Sequence, residues 1–452
     1  MWHATKTFIL IVGLLFVFAG CTPGDGEALT AAQLQSELDD FSQHSQEPAA
    51  YEKEMLRTGS KMITEPEGGS PSQELTRRQL IVVGAEEALA AVEPLLARRW
   101  KDGFAIDTGA LETIYTTMPG KNRPQRLRAF LRDTADAQAQ TYVLLIGSHD
   151  TIPYVWFVTD PSDPYEYGVY TDGYYANLHD DFDTDRDGKL GEWGQDEYDL
   201  VRDVRLGRVP LDDPEHVAAW AARVLAYEKD FSARMDDALL AGGYISTPGD
   251  TAIIVSMIRE MVLKPGGYGV TTMLEEHPYG DAYNFLSSDR PLNKDEFTDE
   301  LSNDDYGFVF WMSHGSSSGA STLSHGSFIT TYSMGYLKSR RPTMFFSSAC
   351  LQLYPDYGAN IGEEIMKQNA VSFVGSLGET YPHNLGGGSL IFMTAMNKTV
   401  VQGLPLAQAI DESRDVYIDV FWKLPYPRGV YLKNFFGFTV LGDPTMTYPG
   451  RR

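Results

Sequence analysis

Short unbroken apolar runs alternate along the chain with longer stretches in which apolar residues recur every three or four positions. Residues 80–83 (Leu-Ile-Val-Val) and 142–146 (Tyr-Val-Leu-Leu-Ile) belong to the first kind, which predicts strands covered on both faces, as in a parallel sheet. Between them the periodicity predicts helices over 86–100 and 124–137. Strand, helix, helix, strand implies parallel βα units. Strand character returns over 199–201 and 204–210. Asp213 then caps a helix with Pro214 in its first turn and Val217, Trp220, Val224 and Tyr227 on one face. A polar stretch at 231–237 marks a boundary, after which the pattern repeats. Strands are predicted over 238–242, 269–273, 308–312, 344–346 and 370–376, and helices over 251–262, 294–301, 389–396 and 406–416. The fold class is therefore α/β, with one unit over residues 77–234 and a second over 235–452. Residues 22–76, rich in Glu, Gln, Ser, Gly and Pro, read as a polar tether with marginal helix near 31–41 and 51–62.

Composition sharpens this picture. The 452 residues, 43% hydrophobic, supply a large core. A formal charge of -25 argues against nucleic acid or an anionic membrane surface as partner, and fits an exported protein that binds cations or accepts basic substrates. The amino terminus has a polar start, an apolar run over 8–18 and then Ala19-Gly20-Cys21. That is the build of a secretory signal, and cysteine at this position resembles a bacterial lipobox. Residues 1–21 thus read as a lipoprotein signal peptide, with Cys21 as the lipidated first residue. The expected location is the bacterial cell envelope, at the outer membrane or cell surface, held there by the lipid alone. Only two cysteines occur in the chain. With Cys21 lipidated, Cys350 has no disulfide partner and stands as a free thiol in an oxidising compartment.

Two of the predicted strands carry the candidate chemistry. Residues 308–312 deliver Ser313-His314-Gly315, and residues 344–346 lead to Ser347-Ser348-Ala349-Cys350, so His314 and Cys350 each lie just past the carboxyl end of a strand. That edge of an open α/β sheet is where ligands bind. A thiol attacks an amide only as thiolate, and an imidazole beside it acts as base or counter-ion and then protonates the leaving amine. Gly315, lacking a side chain, lets its N–H approach a substrate carbonyl, and with the Cys350 N–H forms a candidate oxyanion site. Singly, such a cysteine is a small core residue and such a His-Gly a turn; two strand ends together point to catalysis.

An acidic stretch, Asp183-Thr184-Asp185-Arg186-Asp187-Gly188-Lys189-Leu190, alternates carboxylates and places Gly at the sharp turn of a calcium loop. Gly194 stands where an EF-hand has its bidentate Glu, while Glu192, Asp196 and Glu197 are near. The candidate metal positions are Asp183, Asp185, Asp187, Lys189 and Glu192, the ion is calcium in a structural role, and no organic cofactor is expected. The competing reading is a solvated acidic turn.

In order, these motifs resemble the catalytic region of the gingipain-type family of clan CD cysteine peptidases, within the caspase and gingipain superfamily. The resemblance runs from about residue 80 to 446 and is carried by residues 142–153, Thr171-Asp172 with Tyr174-Tyr175, Gly191-Glu192-Trp193, Leu206-Gly207-Arg208-Val209-Pro210, Tyr227-Glu228, His314-Gly315, Ala349-Cys350, Gly362-Glu363 and Leu441-Gly442-Asp443-Pro444. Leu351-Gln352 after the cysteine departs from the caspase signature. The resemblance implies two side-by-side α/β subdomains with mostly parallel sheets flanked by helices, structural calcium, and endopeptidase action on proteins or peptides. In it His314 is the base or imidazolium and Cys350 the nucleophile. Asp172 falls where arginine-specific members hold a basic P1 side chain; calcium binding or a turn cap are its other readings. The motif fixes no residue to orient His314, and Asp150 is the candidate, with turn capping as the alternative. His149 and His383 read as surface histidines. Two rival functions stay open: a sortase-like transpeptidase or maturation protease using the same acyl-enzyme, and a catalytically silent binding module. Oligomeric state leaves no trace in the sequence.

Overall fold

The computed structural model describes residues 77–160, 168–230, 232–245, 250–276, 288–355, 358–380, 389–421 and 428–449. Residues 1–76, which hold the expected signal peptide, Cys21 and the expected tether, and His383 lie outside them. From Arg77 onward the chain forms one compact unit. Its strands, in chain order, are β1 (Arg78–Gly84), β2 (Phe104–Ala110), β3 (Gln140–Ile146), β4 (Val155–Phe157), β5 (Val169–Thr171), β6 (Arg205–Val209), β7 (Asp237–Gly242), β8 (Gly269–Leu274), β9 (Arg290–Pro291), β10 (Phe308–Met312), β11 (His314–Ser316), β12 (Gly319–Thr322), β13 (Gly326–Thr330), β14 (Thr343–Ser347), β15 (Ala370–Ser376) and β16 (Phe438–Gly442).

Eleven of these build one mostly parallel sheet in the order β2-β1-β3-β6-β16-β15-β14-β10-β7-β8-β9. Leu80, Ile81, Val82 and Val83 of β1, and every residue of β10 and β14, are buried. This double-sided burial is why those strands read as unbroken apolar runs. The two expected subdomains prove to be the two halves of a single continuous sheet. The predicted boundary is a 3₁₀ turn, Ala233–Asp236, leading directly into β7. At the seam lies the last strand, β16, which pairs antiparallel along its whole length with β15 from Ser372 to Ser376 and meets β6 where Leu441 faces Arg208. A second tie is Arg99, buried, which donates to Glu228 (2.7 and 3.0 Å) and to Asp443 (2.8 Å). These bonds join the first helical layer, the end of the helix Pro214–Tyr227 and the chain just past β16.

Several elements depart from the sequence pattern for local reasons. The helix expected over 86–100 is two, Glu86–Ala91 and Glu93–Lys101, because Pro94 in the second has no N–H to continue the first. Residues 199–201 form no strand. There the Asp199 carboxylate accepts from Val201 N at 2.8 Å, and this local turn competes with sheet pairing. β2 carries Asp107, Thr108 and Gly109 and lies at the sheet edge, so its pattern is too polar to stand out. Residues after His314 form a small three-stranded sheet, β11-β12-β13, rather than an open loop.

The hairpin β4-β5 packs against the chain just before β16 and the loop that follows β14. Thr171 Oγ1 donates to Phe436 O at 2.9 Å, and the Tyr170 ring meets that of Tyr354 edge-on at 5.5 Å. The first half of the chain thereby forms a wall beside the loop that carries Cys350.

Candidate active site

Parallel pairing of β10 with β14 puts Trp311 opposite Ser347. His314 and Cys350 follow those residues by three positions each, so the two side chains leave the sheet at the same level from adjacent strands. Ser348 N donates to Trp311 O at 2.9 Å and keeps the two chain segments together beyond the strand ends. A Cβ built on Gly315 would lie 2.7 Å from Cys350 O and 2.7 Å from Ala349 Cβ. Only glycine permits that approach. Both His314 and Cys350 are half-buried.

Two residues the motifs did not single out hold this geometry. Leu351 adopts φ +60, a left-handed conformation that costs about 1–2 kcal/mol for a residue with a side chain, and its N–H is held by Gly378 O at 2.8 Å. The bend turns Gln352 back between the strands. There, fully buried, its Nε2 donates to Ser316 O and Gly319 O, both at 2.8 Å, while Oε1 accepts from Trp311 Nε1 at 3.2 Å and Ser347 Oγ at 3.3 Å. One amide thus satisfies four polar groups and ties the histidine loop to the cysteine loop. Around the imidazole, His314 Nε2 lies 3.1 Å from Ile245 O. A carbonyl only accepts, so Nε2 carries the proton and Nδ1 keeps its lone pair. The Glu275 carboxylate, accepting from the backbone N–H groups of Tyr244, Leu323 and Ser324, anchors the segment that presents Ile245 to the β12-β13 turn.

Three expectations are corrected. Asp150 does not orient His314: it is exposed beyond β3, five strand positions from β10, roughly 24 Å at the usual strand spacing. The carbonyl of Ile245 occupies that role. Asp172 is no free acceptor for a basic P1 side chain. It is 4% exposed, with Arg208 Nη2 2.5 Å from Oδ1 and Arg208 Nε 2.9 Å from Oδ2. Arg208, fully buried, also donates to Gly147 O and Ile152 O at 3.0 and 2.8 Å, so the pair fastens the loop after β3. His149 is half-buried rather than superficial. Its Nδ1 accepts from Tyr154 N at 3.1 Å, and burial together with Arg208 lowers its pKa.

In the acidic loop, carboxylate oxygens of Asp183, Asp185 and Asp187 lie within 4.8 Å of one another. Gly188 takes φ +88 at the turn. Lys189 Nζ sits 2.7 Å from Asp187 Oδ2 and 3.1 Å from Glu192 Oε1. Glu192 is fully buried, and its Oε2 has no hydrogen-bond partner. A buried carboxylate oxygen without a donor is costly, and a hard cation is one group that would satisfy it. The residues present fit calcium.

An open sheet whose neighbouring strand ends carry histidine and cysteine, with a glycine-tight contact between the two loops, defines a cysteine endopeptidase of the gingipain type. Comparison with known proteins agrees. The chain belongs to peptidase family C25, whose profile matches residues 73–449. Among solved structures it is similar to the Arg-specific cysteine proteinase gingipain R, at 15% identity and TM-score 0.61 over 84% of this chain and 80% of that one. The pro- and mature domains of RgpB from Porphyromonas gingivalis match at 15% identity and TM-score 0.61, over 82% of this chain and 79% of that one. A further structure described only as a protease matches at 16% identity and TM-score 0.58, over 82% and 78%. At these identities the likeness is one of fold. No curated protein matches the chain.

Two predictions follow from the charged groups beside the cleft. Asp172→Asn leaves the Arg208 guanidinium buried without its counter-ion and is expected to cost about 3–5 kcal/mol of stability, read by urea unfolding. The ratio of cleavage after Arg to cleavage after Leu in a peptide series stays unchanged; a selective loss of Arg cleavage would restore Asp172 as the P1 acceptor. Burial pushes the Glu363 carboxyl up to about 7, against the opposing pull of Lys367, Asn360 and Arg208. Between its ordinary 4.5 and about 7 the folded chain holds a proton the unfolded chain has released, so stability falls as pH rises through that window. Glu363→Gln removes this fall, and the difference in urea midpoint between pH 5 and pH 8 shrinks.

Proposed function

We propose that this family C25 peptidase is a lipid-anchored, calcium-stabilised enzyme of the bacterial cell envelope that cleaves proteins through a thioester on Cys350. The observation that supports the catalytic part is the close approach of Gly315 to Ala349 and Cys350 O, which brings the loops carrying His314 and Cys350 together. His314 Nδ1 takes the thiol proton as Sγ bonds to the scissile carbonyl carbon. The N–H groups of Gly315 and Cys350 receive the oxyanion. As the C–N bond breaks, the imidazolium passes its proton to the leaving amine. Water, deprotonated by the same imidazole, then hydrolyses the thioester to a carboxylic acid and restores the thiol. With Asp172 committed to Arg208, this reading carries no preference for a basic P1 residue.

Anchoring rests on Ala19-Gly20-Cys21 behind an apolar run, and stabilisation on the acidic loop. Calcium would be held by Asp183, Asp185, Asp187, the main chain at Lys189, and Glu192, with the Lys189 ammonium displaced from between Asp187 and Glu192. Its contribution is structural: it neutralises clustered carboxylates and the orphan Glu192 oxygen.

Cys350→Ala and His314→Ala are each expected to lower hydrolysis of labelled casein by about 1,000-fold or more while leaving the fold intact by circular dichroism. A peptidyl acyloxymethyl ketone should modify Cys350 in the wild-type chain. Casein hydrolysis that persists in Cys350→Ala would end the thioester account. For calcium, the readout is stability: at 100-fold excess over Kd the ion adds about 2.7 kcal/mol, seen as a higher Tm that a chelator reverses. Glu192→Gln should weaken this shift by weakening binding, and a chelator-insensitive Tm would exclude the site.

A further inference from the structure

One residue outside every motif holds the nucleophilic sulfur. Thr380 follows β15 by four positions and is 9% exposed. Three of its atoms meet Cys350 Sγ: the backbone N at 3.3 Å, Oγ1 at 3.4 Å and the carbonyl O at 3.6 Å. The segment that leads into it from β15 is fixed by several bonds. Leu377 N donates to Gly437 O at 2.8 Å, Ser376 Oγ bonds both N and O of Gly378, and Gly378 O accepts from Leu351 N, the residue next to the nucleophile. The position of Thr380 relative to the sulfur is therefore set by the same loop that bends at Leu351.

We propose that Thr380 is the positioning residue of the nucleophile, holding the Cys350 sulfur in both its protonation states. This rests on the reading of Cys350 as nucleophile. The chemistry of the three contacts differs in a way that matters. A backbone N–H only donates, a carbonyl only accepts, and a hydroxyl does either after rotating about its C–O bond. In the thiol, S–H donates to the Thr380 carbonyl or hydroxyl. When the proton passes to His314, the thiolate accepts from the Thr380 N–H and from the rotated hydroxyl. Donation to an anion is stronger than donation to a neutral sulfur, so the grip tightens as the nucleophile forms. Once the thioester forms, the sulfur carries neither proton nor charge, and the hold relaxes as the acyl group takes its place.

The test uses the full-length chain with Thr380→Val, which keeps the backbone N–H and the shape but removes the hydroxyl, and Thr380→Ser, which keeps both donors. Two rates are read: kcat and KM on labelled casein, and alkylation of Cys350 by iodoacetamide at pH 7, located by peptide mass mapping, which needs no substrate binding. The expected result is that Thr380→Val lowers kcat and the alkylation rate about tenfold each, the worth of one hydrogen bond to a charged group, with KM within about twofold, and that Thr380→Ser recovers both. Should Thr380→Val fold poorly, Thr380→Ala carries the same comparison. Unchanged kcat and alkylation in the Val variant overturn the inference. So does an equal loss in the Val and Ser variants with alkylation unaffected, which marks a packing role. A parallel Cys350→Ala separates the two levels: activity surviving in it removes the nucleophile reading itself, whereas an inactive Cys350→Ala beside a wild-type-like Thr380→Val removes only the role of Thr380.

Discussion

The contact on which everything else depends is the one between the main chain at Gly315 and the main chain at Ala349-Cys350. Parallel strands lie about 4.8 Å apart, so β10 and β14 bring their carboxyl ends near one another without further help. What the strands cannot do is keep two loops in register once they leave the sheet. Ser348 N on Trp311 O extends the pairing by one bond, the absent side chain at Gly315 lets the loops touch, and Gln352 closes them from beneath. Removing the Gln352 amide would strand several buried polar groups at once, each worth about 1–3 kcal/mol when left unpaired. A histidine and a cysteine on separate loops have freedom to drift; here that freedom is removed by main-chain bonds and one buried amide.

Charge is distributed to the same end. The chain carries a large excess of carboxylates, and the buried ones beside the sheet are matched individually: Asp172 to Arg208, Glu228 and Asp443 to Arg99. Such pairs add little net stability over an apolar substitute, because desolvation offsets most of the attraction. Their value is geometric. Arg208 spans from Asp172 to the carbonyls of Gly147 and Ile152 and so fixes the wall formed by β4-β5, while Arg99 clamps the far end of β16. Two buried carboxylate oxygens keep no hydrogen-bond partner among the described residues, Glu192 Oε2 in the acidic loop and Asp411 Oδ2 in the helix Leu406–Phe421.

Much of this was legible in the sequence because it depends on pattern. Unbroken apolar runs such as Leu80 to Val83 announce strands covered on both faces, and the capped helix after Asp213 follows from Asp, Pro and the spacing of Val217, Trp220, Val224 and Tyr227. His314 and Cys350 were visible for the same reason: each ends such a run. What escaped is whatever depends on strand order. Asp150 looked adjacent to the histidine because it follows a strand, but the sheet inserts β6, β16, β15 and β14 between β3 and β10, and chain order carries no record of that insertion. Asp172 was misjudged in a related way: an acidic residue beside a catalytic loop reads as a ligand until the buried Arg208 opposite it is seen. Gln352 was visible only as a departure from the caspase signature and Thr380 not at all, since their roles are defined by the groups that surround them.

The group that orients the His314 imidazole illustrates the limit most sharply. A carboxylate in that place would be a residue type to look for, and its search led to Asp150. The bond found instead goes to the carbonyl of Ile245, a group every residue possesses. A carbonyl fixes the tautomer as firmly as a carboxylate does, because it can only accept, but it brings no charge into a half-buried site and needs no particular side chain. The specificity of the arrangement is therefore transferred from residue identity to backbone placement. Gly243 N on Met312 O, together with the Glu275 carboxylate on Tyr244 N, supplies that placement by extending the β7-β10 pairing one residue past the sheet on the side away from Cys350. The histidine is thus held from one neighbouring strand end while the cysteine follows the other, so the strand order β7-β10-β14 sets the layout of the candidate site.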